Sequence, residues 1–266
     1  MSENRSDTKP GDATTAPRPC RLGFLIPPGN PTVEPEMSRL APPGVTVHFS
    51  RMVAFGVTGS HDGQEERNRS QVAHLPETAA LLALVKPAVM VLAHTATSYT
   101  LGREAEAALI ERIEASTGIR LVTAFGSVLA ALDHLGARRV TLVTPYSDEW
   151  TRRGRAHLEA HGIDVVAHGR LQGVVNIYDE TPARARELAL ATDVEASQAV
   201  FISGVGMPTI DVLASIEAEL GKPVLSSASA MMWHALRVAG HDGRVDGYGS
   251  LLAGRARSGA PDANRH

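Results

Sequence analysis

Four short segments of the sequence contain groups that could take part in chemistry, and each follows a short apolar run typical of a β-strand. One segment contains His94, whose imidazole exchanges protons near neutral pH. Another contains Gly204 and Val205, whose backbone N–H groups lie where a helix is expected to begin and can approach an anion closely. The four segments are residues 27–30, 94–98, 144–147 and 203–209.

Short apolar runs alternate with longer amphipathic stretches, which predicts βαβ units on parallel sheets. The predicted strands are residues 22–26, 45–49, 88–92, 120–123, 139–143, 164–167, 199–202 and 223–225. The predicted helices are residues 64–85, 103–116, 126–135, 148–161, 182–191, 209–220 and 228–238, with Pro76 interrupting the first. Ligands bind outside the carboxyl ends of strands in such sheets, so the four segments are the expected walls of a site.

The four segments also form two matched pairs, which indicates a weak internal repeat. Each half has a proline-containing segment after its first strand and a hydroxyl- or glycine-rich segment after a later strand. We therefore expect an α/β fold of two Rossmann-like, parallel-sheet lobes, related by pseudo-twofold symmetry, with the site at their interface. The first lobe is expected to contain residues 21–118 and 227–254, and the second residues 119–226.

Composition and charge argue against several classes of function. The 26 positive and 29 negative charges give a net charge of -3 with mixed signs, so nucleic acid is not an expected partner. No uncharged apolar run has membrane-spanning length, and residues 1–20 and 255–266 are expected to be disordered tails without a signal peptide. Cys20 is the only cysteine, which favours a reducing compartment and a cytoplasmic location. Homo-oligomerisation is left open.

The strand-end segments, in this order, resemble the arylmalonate decarboxylase and maleate isomerase family of the aspartate/glutamate racemase superfamily. The resemblance covers nearly all of residues 21–252. Its specific parts are LGFLIPP at residues 22–28, RRV through TPY at 138–146, TID at 209–211, PVLSS at 223–227 leading to Trp233, and GYG at 247–249. Asn30 and Asn176 resemble the isomerase branch, whereas Pro27-Pro28 and the GYG run resemble the decarboxylase branch.

The resemblance implies an enzyme that binds a small carboxylate and uses preorganised donors to stabilise an enediolate or a similar charge. Thr95 matches a family hydroxyl that contacts the carboxylate, and Tyr146 matches the phenol that donates to it. Ala96 stands where the decarboxylase has a serine. One donor is therefore missing, unless Thr97 or Ser98 replaces it.

Both catalytic cysteines of the superfamily are absent from this sequence. Its racemases and isomerases use two facing cysteines, and the decarboxylase keeps only the second; the corresponding residues here are His94 and Gly204. Cys20 precedes the first predicted strand, about 15 to 20 Å from that strand's other end. We therefore expect no thiol catalysis.

The loss of the thiols affects the family's reactions unequally. Maleate isomerisation by the family route needs a thiolate that adds to carbon, and two-base racemisation needs an acid and a base on opposite faces. Decarboxylation of a malonate-like acid needs only a proton returned to carbon, which His94 or a water it holds could deliver near neutral pH. The sequence therefore predicts a cysteine-independent lyase that acts on a small dicarboxylic acid.

Neither a metal nor an organic cofactor is expected. The turn Gly204-Val205-Gly206 lacks the third glycine of a dinucleotide-binding motif. Two other functions stay open: an isomerase or racemase that pairs His94 with an unidentified group, and a non-catalytic protein that binds carboxylates. His94 is equally compatible with a structural role in a strand-end loop.

Five further residues are predicted to lie at or near the site. Asn30 and Asn176 are compatible either with substrate contact or with hydrogen bonds to their own turns. Pro28, Met207 and Val175 are expected to give the site an apolar wall, which would favour the departure of a carboxylate.

Overall fold

The structure, a computed structural model, describes residues 19–254, which contain two four-stranded parallel sheets. The first sheet comprises β1 (Cys20–Ile26), β2 (Val45–Arg51), β3 (Val89–Leu92) and β4 (Leu121–Thr123). The second comprises β5 (Arg139–Thr144), β6 (Asp164–Arg170), β7 (Ala199–Ile202) and β8 (Val224–Ser226). All the predicted strands are confirmed, with small shifts of their ends.

The two sheets have the same strand order, β2-β1-β3-β4 in the first and β6-β5-β7-β8 in the second. Every pairing is parallel, so the carboxyl ends of the strands lie at one edge of each sheet. β3 and β7 are buried throughout, as expected for sheets covered by helices on both faces. The predicted α/β fold with two parallel-sheet lobes is confirmed, and the repeated strand order is the one that a pseudo-twofold relation requires.

The helices cover these sheets and overlap all the predicted helical segments, although residues 209–212, predicted as the start of a helix, precede the eighth helix. They are α1 (Val33–Leu40), α2 (Gln64–Ala73), α3 (Leu75–Ala83), α4 (Thr95–Thr117), α5 (Ala124–His134), α6 (Asp148–Glu159), α7 (Pro182–Thr192), α8 (Leu213–Leu220) and α9 (Ser227–Val238). The predicted interruption at Pro76 is confirmed, because this residue lies in the first turn of α3. Of the helices within residues 19–254, none has both the length and the apolar composition needed to cross a bilayer.

Helix α1 is absent from the predicted elements, although its sequence contains a signal. It buries Val33, Met37 and Leu40, which have the i, i+4, i+7 spacing of an amphipathic helix. The prolines on either side of its first residue hide this short pattern, because they are more typical of turns.

The prediction that residues 94–98 form a loop is wrong. His94 is the N-cap residue of α4, and residues 95–98 form the first turn of that helix. Gly102, at φ 72°, kinks α4 just before the residue at which the helix was expected to begin. β3 therefore passes almost directly into a helix, which fixes the position of His94 firmly.

The expected boundary at residue 119 placed β4 in the second lobe, and this part of the prediction is wrong. This strand pairs with β3 of the first sheet, with Val122 opposite Val91. Cys20, expected in the N-terminal tail, is the first residue of β1. The expected tails at residues 1–18 and 255–266 lie outside the described residues.

One hydrophobic core joins the two sheets. It includes Phe24 of β1, Leu142 of β5 and Phe201 of β7, all fully buried. Helices α5 and α9 pack against each other and add Phe125 and Met231 to the same core. Because the core is shared, the strand ends of the two sheets keep a fixed relation to one another.

Buried polar contacts also cross between the halves near the strand ends. The side-chain amide of Asn30 donates to the Val205 carbonyl (3.2 Å), and the Thr32 hydroxyl donates to the Gly206 carbonyl (2.9 Å). Buried hydrogen bonds of this kind are directional, so they fix the register of one half on the other.

The buried carboxyl group of Glu36, on α1, also joins the two halves. Its Oε1 accepts from the N–H groups of Thr209 (2.7 Å) and Ile210 (3.1 Å), while its Oε2 has no hydrogen-bond partner among the described residues. Burial raises the pKa of Glu36 to about 7, and the two backbone N–H groups only partly oppose this shift. Glu36 therefore holds a proton in mildly acidic solution.

We predict that Glu36 makes the protein less stable as the pH rises from 4.5 to about 7. Over this interval the folded state keeps a proton that the unfolded state releases, so the free energy of unfolding falls by roughly 3 kcal/mol. In Glu36→Gln the amide oxygen can keep both contacts and no charge forms. Urea denaturation across this range should therefore show a smaller decline in the variant; equal declines would contradict the assignment.

Candidate active site

A cavity of about 30 Å³ lies at the carboxyl end of the first sheet, where the two halves meet. The first half contributes residues after β1, β2 and β3 and one face of α2, and the second half contributes the turn at residues 177–178. The lining residues are Pro27, Pro28, Ala54, Thr58, Gly59, Ser60, His61, Gln64, Arg67, Asn68, Gln71, His94, Ile177 and Tyr178.

One wall of the cavity is a loop of the first half, residues 53–63, which the second half holds in place. The Ile177 N–H donates to the Gly59 carbonyl (2.9 Å), and the Asn176 amide donates to the Thr58 carbonyl (3.3 Å). A cavity of this size holds about two water molecules. A dicarboxylic acid is larger, so we expect this loop to shift when one binds.

His94 lines the cavity at the end of β3. Its Nδ1 lies 2.8 Å from the Thr97 hydroxyl, which fixes the orientation of the ring. Burial and, to a smaller extent, the positive charge of Arg67 together lower the pKa of His94 to about 4. The expectation that His94 exchanges protons near neutral pH is therefore wrong for the free protein, in which the ring is neutral at pH 7.

The buried face of α2 is the principal feature of the site that sequence reasoning misses. Gln64, Arg67, Asn68 and Gln71 all line the cavity and are at least nine-tenths buried. Their i, i+3, i+4, i+7 spacing places them on one face of the helix. This spacing is visible in the sequence, but a polar helical face is ordinarily solvated, so only the position of α2 identifies it as a site wall.

Tyr178 is a second cavity residue that sequence reasoning misses. Burial raises its pKa to about 12, while the nearby positive charges of Arg67 and Arg51 act in the opposite direction. Its phenol is therefore protonated at neutral pH and is a hydrogen-bond donor on the wall contributed by the second half.

Thr95 and Gly204 are connected through a residue that was not predicted, Ser227 at the start of α9. The Thr95 hydroxyl donates to the Ser227 hydroxyl oxygen (2.9 Å), which also accepts from the Gly204 N–H at 3.3 Å. Thr95 and Ser227 are fully buried. The structure thus brings together two of the predicted site residues, but their polar groups lie behind the cavity wall and bond to each other.

Tyr146 also lies beside Gly204, close to a second pair of hydroxyl groups. Burial raises the pKa of Tyr146 well above its ordinary value, so the phenol remains a donor. The hydroxyls of Tyr99 and Ser203 lie 2.9 Å apart, and the aromatic rings of Tyr99 and Tyr146 pack edge to face. Tyr146, Thr95 and Gly204 therefore converge on one buried polar cluster next to the cavity.

The backbone at Gly204 explains why no side chain stands at this position. Its φ of 101° lies in a region that side-chain-bearing residues rarely adopt. A Cβ built on Gly204 would lie 3.0 Å from the Pro145 ring and 3.2 Å from the Tyr146 hydroxyl oxygen. A cysteine in this loop would be strained and crowded, so the local conformation itself disfavours a thiol.

Asn30 and Asn176 use their side chains on the backbone. The Asn30 Oδ1 accepts from the N–H groups of Thr32 (2.8 Å) and Val33 (3.1 Å). The Asn176 Oδ1 accepts from the Tyr178 N–H (2.9 Å), which orients the turn that carries Tyr178. Both residues shape the loops around the cavity without lining it.

The remaining predicted residues are distributed between the cavity and the protein interior. Pro28 lines the cavity, and Thr97 contacts His94. Ser98 donates to Glu106 (2.7 Å) inside the fold, Val205 accepts from Asn30 through its carbonyl, and Met207 packs in the core of the second lobe. Val175 is 86% exposed, so of the three residues expected to form an apolar wall only Pro28 lines the cavity, which has polar and apolar groups in similar proportion.

Comparison with known proteins identifies the family. The Arylmalonate decarboxylase family model matches residues 22–252. The chain belongs to the arylmalonate decarboxylase family. The resemblance drawn from the strand-end motifs is therefore confirmed.

Relatives in this family include both decarboxylases and isomerases. The arylmalonate decarboxylase of Bordetella bronchiseptica is 31% identical over 242 residues, covering 87% of this chain and 95% of the relative. The maleate isomerase of Nocardia farcinica is 31% identical over 248 residues, with 87% and 95% coverage. A crystal structure of a cysteine-to-alanine variant of the maleate isomerase from Pseudomonas putida with maleate has a TM-score of 0.81 at 26% identity, covering 88% of this chain and 97% of that one.

We predict that Gly204→Ala destabilises the protein more than an alanine at an uncrowded glycine with positive φ. Gly221, at φ 64°, has no atom within 4 Å of a built Cβ, so Gly221→Ala should cost about 1 to 2 kcal/mol from the backbone alone. Gly204→Ala adds the contacts with Pro145 and Tyr146 and should cost roughly 3 kcal/mol or more. Equal losses of unfolding free energy in urea would show that residue 204 is not crowded.

Proposed function

We propose that this protein decarboxylates a small, malonate-like dicarboxylic acid without using a thiol. Its family membership supports a decarboxylase or an isomerase. The observation that carries the finer proposal is the position of His94, which lines the cavity where the superfamily places its first cysteine, beside the buried cation of Arg67. The only cysteine of the chain, Cys20, lies at the opposite end of β1 from the cavity.

The reaction needs a charge to be stabilised and a proton to be supplied. The bond between the α-carbon and one carboxylate breaks, carbon dioxide leaves, and the electron pair remains as an enediolate on the other carboxylate. A proton from His94 then adds to the α-carbon, giving the monocarboxylate, and water reprotonates the ring. Stabilising the enediolate is the larger demand. Hydrogen-bond donors that already point at the developing charge meet it, because they act more strongly in a site that excludes water.

The polar cluster beside the cavity supports this role. We assign the enediolate to the hydroxyls of Thr95 and Tyr146 and to the N–H groups of Gly204 and Val205. The Gly204 N–H makes only a long hydrogen bond, 3.3 Å, to Ser227, and a carboxylate is a stronger acceptor than that hydroxyl. Because this cluster lies behind the cavity wall, a substrate that has passed the loop at residues 53–63 reaches it only if the wall opens and the Thr95 hydroxyl turns from Ser227 to the carboxylate.

The negative charge of a bound substrate can favour the protonated form of His94. In the free protein, burial and the nearby Arg67 keep the ring neutral. A bound dianion opposes the positive field of Arg67 and favours the imidazolium, so binding should take up a proton. The lyase mechanism therefore couples substrate binding to the formation of its acid.

We predict that kcat/KM for carbon dioxide release falls as the pH rises above about 4, the pKa of free His94, by about tenfold per unit in the simplest case. The reason is that kcat/KM reports the free protein, in which only the protonated ring can act as the acid. His94→Gln should lose most of the activity and this pH dependence together. His168→Gln, on an exposed part of β6, is the matched control and should behave as the wild type.

A rate that rises through pH 4 and stays level to neutral pH would contradict the acid role and indicate a base. The neutral ring of His94 does favour a second candidate, proton abstraction from the α-carbon in a racemase- or isomerase-type reaction. Exchange of the α-hydrogen with deuterated solvent, without release of carbon dioxide, would support that function. Binding of dicarboxylates with neither outcome would leave a carboxylate-binding protein.

A further inference from the structure

The wall that α2 contributes to the cavity has two polar side chains to which the proposed mechanism assigns no direct contact with the substrate. Arg67 and Gln71 lie one helical turn apart on the same face, and both line the cavity. Arg67 is 8% exposed and Gln71 is 4% exposed. Burying such polar side chains costs free energy unless each forms hydrogen bonds. The hydrogen bonds that they lack therefore indicate which ligand groups would fit the cavity.

Arg67 is the only buried arginine among the described residues, and its charge lacks a carboxylate partner. Its two terminal nitrogens donate to the carbonyls of Ser60 and Asp62, which are neutral acceptors. No ion pair within residues 19–254 includes Arg67. A guanidinium facing a cavity in this state is suited to an anionic ligand, and a carboxylate matches its geometry.

Gln71 provides an independent second observation. Its amide oxygen, Oε1, is buried and has no hydrogen-bond partner among the described residues. An unpaired acceptor on the cavity wall calls for a donor on the ligand, either a hydroxyl or an ammonium group. The positive charge of Arg67 on the same helical face disfavours an ammonium, which leaves the neutral hydroxyl as the better match.

We propose that Arg67 and Gln71 form a specificity subsite for a hydroxy-substituted dicarboxylate, with a carboxylate at Arg67 and the hydroxyl at Gln71. This inference rests on the proposed function only in placing the ligand at the same site. An aryl substituent is the wrong partner here. It would cover the guanidinium and the amide oxygen without offering either of them a hydrogen bond.

Arg67 also connects this subsite to the loop at residues 53–63, because it donates to two carbonyls of that loop. When this loop shifts to admit a dicarboxylate, the same guanidinium meets the ligand's carboxylate. Arg67 is thus placed to hold the loop over the bound ligand.

The test is calorimetric binding of hydroxymalonate, malonate and phenylmalonate to the full chain. We expect the wild type to bind hydroxymalonate about three- to tenfold more tightly than malonate, and phenylmalonate most weakly. Arg67→Met should weaken the binding of all three by at least about tenfold. Arg69→Met is the matched control, since Arg69 lies on the exposed face of α2 and should leave all affinities unchanged.

Gln71→Leu separates the two contacts and does not depend on the integrity of the loop. It should abolish the preference for hydroxymalonate over malonate and leave malonate affinity unchanged. If Arg67→Met does not fold, this comparison alone decides. A preference for phenylmalonate in the wild type, a hydroxymalonate preference that survives in Gln71→Leu, or binding unaffected in folded Arg67→Met would each overturn the proposal.

Carbon dioxide release, measured on the same samples, keeps this inference distinct from the proposed function. Tight, Arg67-dependent binding without carbon dioxide contradicts the decarboxylation and supports the subsite. Carbon dioxide release from hydroxymalonate with a KM that neither Arg67→Met nor Gln71→Leu alters contradicts the subsite and supports the decarboxylation.

Discussion

The burial of the Arg67 guanidinium beside the His94 imidazole is the interaction on which the properties of this site depend. Both groups lose water in the same cavity, and no carboxylate within ion-pair distance among the described residues neutralises the arginine. Burial and the positive charge together keep the histidine neutral. A dianionic ligand would pair with the guanidinium of Arg67 and raise the pKa of His94 at the same time.

The fold creates this arrangement by repetition. Two sheets with one strand order share a core, and their strand ends meet at a polar seam. At this seam β3 leads into α4 through His94, while the loop that follows β2 is held by residues 176 and 177 of the other half. The site thus needs both halves, although most of its reactive groups come from the first.

The absence of a thiol at residue 204 agrees with the local structure. At Gly204 the backbone conformation and the neighbouring Pro145 and Tyr146 leave no comfortable place for a side chain. The hydroxyl groups of Thr95 and Tyr146 still lie close to the Gly204 N–H. Donors of this kind are what a reaction through an enediolate requires, so the loss of the thiols does not by itself remove the chemistry.

The strands and most helices could be predicted from the sequence because their signals are local. β7, for example, is a run of four apolar residues, and a proline such as Pro76 fits the first turn of a helix but not its interior, so the long helical stretch divides just before it. The position of His94 could be predicted for the same reason, since it follows a strand. Its charge could not, because the pKa depends on burial and on Arg67, which only the tertiary structure brings near.

The same limit applies to α2 and to the predicted apolar wall. Gln64 and Gln71 belong to a helix so polar that its pattern indicates a solvated face, and only its place over the cavity shows otherwise. Conversely, Val175 is apolar and follows a strand, yet it faces solvent. Sequence patterns predict which elements form, but the identity of a cavity wall depends on how those elements pack.

The most direct test of this account is the pKa of His94, measured by NMR titration of isotope-labelled histidine with and without a dicarboxylate. His94→Gln identifies the resonance. The account predicts a pKa near 4 in the free protein that rises by about one unit or more when the dianion binds. A pKa close to the ordinary value of 6.5 that does not move on addition of a dicarboxylate would contradict it.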